Sequence, residues 1–110
     1  PLDYQLIDGE HDVFGDGSVL LFPTPGHTAG HQSMQVTTSR DRRFVLTADA
    51  CYTRENLDAD NLPAVVWNER TMLDSMARLR SLGEQSGTRL LFGHDPDQWL
   101  AIEASNHLLT

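Results

Sequence analysis

The stretch Pro23-Thr24-Pro25-Gly26-His27-Thr28-Ala29-Gly30-His31 constrains this chain more than any other. Proline lacks the amide that a helix interior or a central strand needs, and glycine weakens both, so no regular element runs through it. The apolar run Val19-Leu20-Leu21-Phe22 must therefore stop at the prolines, and a new element must begin near His31. His27 is thereby placed in a loop just beyond the end of a strand.

The segments around this loop read as β-structure. Tyr4-Gln5-Leu6-Ile7-Asp8 is a short strand candidate, Gly15-Asp16-Gly17-Ser18 is turn chemistry, and Ser33-Met34-Gln35-Val36-Thr37 alternates as a half-buried strand does. A polar turn over Thr38-Ser39-Arg40-Asp41-Arg42 leads to another strand, Arg43-Phe44-Val45-Leu46-Thr47-Ala48. These runs are expected to be consecutive antiparallel neighbours. Arg54 to Asn61 reads as a polar loop. From Asn68, a candidate N-cap, Met72, Leu73, Met76, Leu79 and Leu82 recur at helical spacing, with stops at Gly83 and Gly87. Arg89-Leu90-Leu91-Phe92 follows as a buried strand, and Asp95 or Asp97 caps a short helix through Trp99, Leu100 and Ile102.

Length allows one small core: 110 residues, 39% of them apolar, do not make two ordinary domains. The start at Pro1-Leu2-Asp3, without methionine and close to a strand-like run, suits a piece of a longer protein. A net charge of −8, with eight arginines and no lysine, argues against a nucleic-acid partner, which requires clustered cations. The single cysteine, Cys51, excludes an internal disulfide, and no run approaches the roughly 20 apolar residues of a membrane span. A soluble cytoplasmic protein, with no membrane partner, is the default expectation.

Three chemistry-bearing residues share one placement. His27 follows Val19 to Phe22, Asp49 follows Phe44 to Leu46, and His94 follows Leu90 to Phe92. Loops at one edge of a sheet converge on a common cleft, and two imidazoles with a carboxylate are a standard ligand set for zinc and similar metals. The placement suggests a hydrolytic metal site, although each residue alone also reads as an ordinary loop or turn residue. Gly26 and Gly93, which precede the histidines, are expected to let the backbone bend sharply. His27 and His31 have the spacing of a helical zinc-protease pair, but the segment lacks its glutamate, and its glycine and the two prolines ahead argue against a helix. His31 reads as a supporting neighbour of the site or as an ordinary polar strand residue. Tyr52 is close enough in sequence to Asp49 to donate to a substrate oxygen, or else simply packs with a wet tip. Cys51 reads as a small buried hydrophobe.

Thr24-Pro25-Gly26-His27-Thr28-Ala29-Gly30-His31 closely resembles the Thr-Pro-Gly-His-Thr-x-Gly-His segment of the metallo-β-lactamase superfamily. Within it, the segments Thr47 to Asn56 and Leu91-Phe92-Gly93-His94-Asp95 are most similar to the N-acyl homoserine lactone lactonases, which degrade bacterial quorum-sensing signals. The resemblance implies an α/β (α+β) chain forming the C-terminal half of an αββα sandwich, a mostly antiparallel sheet with flanking helices. Residues 1–110 would be one partial domain. It also implies a dinuclear zinc site, open to other divalent metals, with His27 on one ion, His94 on the other and Asp49 bridging both. A hydroxide between the metals would attack the lactone carbonyl while Tyr52 holds the substrate oxygen. His31 matches a motif position that is not a ligand, and Cys51 stands where some relatives carry serine. Full-length members of the family are often dimers.

One departure is large. The family's remaining ligands come from an upstream His-x-His-x-Asp-His segment, and the only histidine before His27 is His11, in Glu10-His11-Asp12, which does not match. Two other readings stay open: a glyoxalase II-like hydrolase of glutathione thioesters, to which the acidic balance lends little support, and a non-catalytic remnant of the fold. One private ligand per metal plus a shared aspartate is too few for tight binding. The isolated chain is expected to bind zinc weakly and to open no lactone. Tight stoichiometric zinc in equilibrium dialysis, together with turnover, would refute this.

Overall fold

The structure, a computed structural model, describes residues 1–38 and 41–105. A five-stranded sheet has the order β1-β2-β3-β4-β5. β1 (His11–Asp12), which is not among the expected strands, pairs antiparallel with β2 (Val19–Pro23), and β2, β3 (Gln32–Thr37) and β4 (Arg43–Leu46) are antiparallel neighbours, as expected. β5 (Thr88–Leu91) lies parallel to β4, with Val45 opposite Leu90. Between them run a 3-10 turn (Ala48–Ala50), α1 (Arg54–Ala59) and α2 (Glu69–Gly83), and α3 (Pro96–Ser105) follows β5.

Local chemistry sets the boundaries. The Asp12 carboxylate accepts from the Gly15 and Gly17 amides at 3.0 and 2.9 Å, closing the turn between β1 and β2. Asn68 caps α2 by accepting from the Thr71 amide at 2.9 Å. Asp95, not Asp97, caps α3 through the Gln98 amide at 3.1 Å. Of the polar turn after β3, Ser39 and Arg40 lie outside the described residues, and the Thr38 amide donates to the Arg42 carbonyl.

Two expectations fail. Arg54 to Asn61 is not simply a loop: Thr53 caps α1 by accepting from the Asn56 amide at 3.0 Å, and Leu57 is fully buried. One apolar anchor in a six-residue helix leaves no period to read. Tyr4 to Asp8 forms no strand, and Tyr4 and Leu6 are 77% and 96% exposed. A strand needs a partner for its backbone groups, and β1, the edge strand nearest in sequence, is only two residues long.

Strand alternation sends neighbouring side chains to opposite faces. Val45 and Leu90 join Phe22, Leu57, Met72, Met76 and Leu79 under α1 and α2. Phe44 and Leu91 meet Ile102 and Trp99 of α3 on the other side. The sheet is thus covered by helices on both faces, α1 and α2 on one and α3 on the other. On the α3 face, the paired residues Leu21 and Met34, and Val19 and Val36, remain only half-buried. No helix among the described residues is long and apolar enough to cross a membrane.

α2 sits directly on the loop after β2. A Cβ at Gly26, where φ is +141°, would lie 2.3 Å from the Met72 Cα. Gly26 therefore combines an unusual backbone angle with backbone-to-backbone contact. The chain turns at Gly93 and His94 as expected, but Gly93 has no positive φ and its nearest neighbour atoms would lie 3.9 Å away, so that turn does not depend on glycine. Gly26→Ala is expected to cost about 3 kcal/mol in urea unfolding, from overpacking and backbone strain. Gly30→Ala, which has open space around it, is expected to cost less than about 0.5 kcal/mol. Equal midpoints for the two variants would contradict this seating of α2.

Candidate active site

Strand direction brings the predicted residues together. β2 and β4 both run antiparallel to β3, and β5 runs parallel to β4, so β2, β4 and β5 end at the same edge of the sheet. His27 follows β2, Asp49 lies in the 3-10 turn after β4, and His94 follows β5. His94 Nε2 is 2.9 Å from Asp49 Oδ1, and His27 Nε2 is 3.5 Å from Asp49 Oδ2. Each imidazole thus addresses a different oxygen of one carboxylate.

Tyr52 completes the group. Its hydroxyl lies 3.4 Å from His27 Nδ1, and its ring stands edge-on to His94 with centroids 4.6 Å apart. Burial, reinforced by the negative charge of Asp49, raises the phenol above its ordinary titration range. Tyr52 therefore remains a hydrogen-bond donor at neutral pH.

The surrounding loops are tied down. The Trp67 and Asn68 amides donate to the His27 and Gly26 carbonyls, and Ser75 Oγ donates to the Pro25 carbonyl at 2.6 Å. The His94 amide donates to the Tyr52 carbonyl at 3.1 Å, joining two of the site loops. Ala48, just before Asp49, has a left-handed backbone with φ +49°, an arrangement that costs a non-glycine residue about 1 kcal/mol or more.

His31 contacts the site without joining the trio. Its Nε2 accepts from the Asp49 amide at 3.1 Å, and its Nδ1 lies 2.9 Å from Thr24 Oγ1. Burial lowers its titration range, partly opposed by the charge of Asp49, so the ring is neutral in neutral solution. Thr24, Ser33 and Thr47 are buried hydroxyls that sequence reading missed as parts of the site. Asp95 has a wider role than capping: its second oxygen accepts from the Arg54 amide at 2.9 Å. That bond, with the one from Gln98, holds its carboxyl below the usual range.

The donor types suit a divalent metal, but the donor number falls short. Two imidazoles sharing one carboxylate give each of two ions a pair of protein donors, where zinc sites use three or four. Among the described residues no cluster of three or more His, Cys, Asp or Glu side chains forms a metal cage. These residues alone do not complete a metal site. A cavity of about 870 Å³ opens instead between the starts of α1 and α3, lined by Thr53, Arg54, Asp95 and Gln98 among others. None of His27, Asp49, Tyr52 or His94 lines it.

The family model of the metallo-beta-lactamase superfamily matches residues 1–102. The chain belongs to the metallo-beta-lactamase superfamily. It is 36% identical over 93 residues to N-acyl homoserine lactonase AttM of Azorhizobium caulinodans, covering 84% of this chain and 35% of the relative. It is 37% identical over 97 residues to N-acyl homoserine lactonase AiiA of Bacillus thuringiensis subsp. kurstaki, covering 88% and 38%. A solved N-acyl homoserine lactone hydrolase, with N-hexanoyl-L-homoserine bound at its catalytic metal centre, superposes with a TM-score of 0.78 at 34% identity. That superposition covers 91% of this chain and 39% of the solved one. As a metallo-beta-lactamase chain, it thus spans 35–39% of the length of these relatives.

Cys51 belongs to the core of this fold. It is 1% exposed, and burial pushes its thiol from an ordinary 9.0 up to about 11. It is expected to resist iodoacetamide in the folded protein at pH about 8 and to react once the chain unfolds. Because the folded thiol titrates higher than the unfolded one, its contribution to stability is full below 9.0 and is lost as pH rises through about 11. Equal alkylation rates for native and unfolded protein would contradict this.

Proposed function

We propose that this chain is the C-terminal part of a zinc-dependent hydrolase that opens the lactone ring of N-acyl homoserine lactones. The supporting observation is the meeting of His27, Asp49, His94 and Tyr52 at one sheet edge, in a chain 36–37% identical to relatives named as lactonases. A bound divalent metal supplies Lewis-acid polarisation of a carbonyl and makes water nucleophilic at neutral pH. In this reading His27, Asp49 and His94 would hold the metal ions that supply this chemistry. The missing ligands belong to a His-x-His-x-Asp-His segment of the whole protein.

The residues of this chain then have distinct tasks. Asp49 lies between the two imidazoles, with one oxygen 2.9 Å from His94 and the other 3.5 Å from His27, and so sets the spacing of the would-be ligands. Tyr52 keeps its proton and donates to the lactone carbonyl oxygen as negative charge develops there, an interaction that strengthens in the transition state. The segment bonded to the His27 loop carries Val65 and Trp67, 85% and 59% exposed, an apolar surface suited to an acyl chain.

The test is turnover by the full-length protein, loaded with zinc, of N-hexanoyl homoserine lactone against a glutathione thioester. Lactone opening, followed as acid release, is the expected result. Tyr52→Phe is expected to lower kcat by about 100-fold with zinc content unchanged. Thioester cleavage without lactone opening would assign the protein to another branch of the superfamily, and neither activity would favour a non-catalytic remnant.

A further inference from the structure

The first turn of a helix leaves its amides without intrahelical acceptors, and Thr47 gives the 3-10 turn over Ala48–Ala50 no side-chain cap. The Asp49 amide donates to His31 Nε2 at 3.1 Å instead. An amide N–H can only donate, so Nε2 must present its lone pair, and a neutral imidazole then carries its proton on Nδ1. Nδ1 is 2.9 Å from Thr24 Oγ1 and donates to it. At the far end, Ser33 Oγ donates to the Thr47 carbonyl at 3.2 Å, because a carbonyl can only accept. The 2.7 Å contact between Thr24 and Ser33 is left with one direction, Thr24 donating. Both hydroxyl residues are buried, at 0% and 2% exposure, so water does not substitute for either partner.

We propose that His31 is locked as the Nδ1–H tautomer by this one-directional chain and is the positioning residue for Asp49. The chain leaves the turn at the Asp49 amide, passes through His31 and Thr24, which flank the paired ends of β3 and β2, then through Ser33 of β3, and returns at the Thr47 carbonyl. It therefore braces both sides of strained Ala48. By holding the amide, His31 sets the direction in which the Asp49 carboxylate projects between His27 and His94. The same bond occupies the Nε2 lone pair, which explains chemically why the second histidine of the motif stands apart from the trio. The functional meaning rests on the proposed role of Asp49, whereas the tautomer rests on the hydrogen bonds alone.

The two ring nitrogens can be tested separately. Long-range 1H–15N NMR at pH about 8, above the ordinary imidazole range, is expected to show a pyrrole-type Nδ1 and a pyridine-type Nε2 for His31. A protonated Nε2 would overturn the proposal, and this measurement needs no variant. A glutamine amide oxygen reaches the Nε2 position, and an asparagine amide nitrogen reaches the Nδ1 position. His31→Gln thus keeps the Asp49 bond, and His31→Asn keeps only the Thr24 bond. His31→Asn is expected to speed exchange of the Asp49 amide by about tenfold or more, and to weaken zinc binding by the full-length protein by a similar factor. His31→Gln is expected to change both by less than about threefold. Equal effects of the two variants would overturn the positioning role. A correct tautomer and this asymmetry in a protein that opens no lactone would refute the proposed function and leave the inference standing.

Discussion

Thr88–Leu91 can lie beside Arg43–Leu46 in the same direction only because the intervening chain climbs back over one face of the sheet. That crossover is the constraint on which the rest depends. It brings the end of β5 to the sheet edge where β2 and β4 already end, and it presses α2 against Gly26, fixing the loop that carries His27. Had β5 paired antiparallel to β4, His94 would emerge at the opposite edge of the sheet. The parity of the strand directions is therefore as much a part of the site as the side chains are.

Much of this was legible in the sequence, for identifiable reasons. The proline- and glycine-rich seam had to end β2, and α2 buries Met72, Met76 and Leu79 on one stripe, so pattern and structure agree there. Alternation exposed β3, and β5 was marked by the short apolar run Leu90-Leu91-Phe92 between Arg89 and Gly93. α1 was hidden because its only buried residue is Leu57, with polar residues on every side. Tyr4 to Asp8 has the composition of a strand, but composition does not supply a partner edge. The convergence of His27, Asp49 and His94 was readable as a shared placement after strands, whereas the parallel direction of β5 was not. Gly93 shows a related limit: the chain turns there without a positive φ, so a glycine in the sequence does not say whether its extra backbone freedom is used.

The hydroxyl network was hidden for a different reason. Thr24, Ser33 and Thr47 come from three separate segments, and nothing in their local sequence says that they will meet. Buried polar groups are costly unless paired, so once the strands bring them together the chain of donors and acceptors must close. The histidine beside them supplies the one group that accepts at one atom and donates at another. An aliphatic residue of similar size would fill the space and strand the Asp49 amide.

Asp95 joins the layers in another way. One oxygen accepts from the start of α1 and the other from the start of α3, yet Leu57 and Ile102 place those helices against opposite faces of the sheet. A single carboxylate is thus a pin through the edge of the molecule, one residue from the His94 imidazole. Any sliding of the two helical layers past each other would pull on that pin before it reached the core. The geometry of His94 is accordingly coupled to how the outer layers are held, and not only to the loop in which it sits.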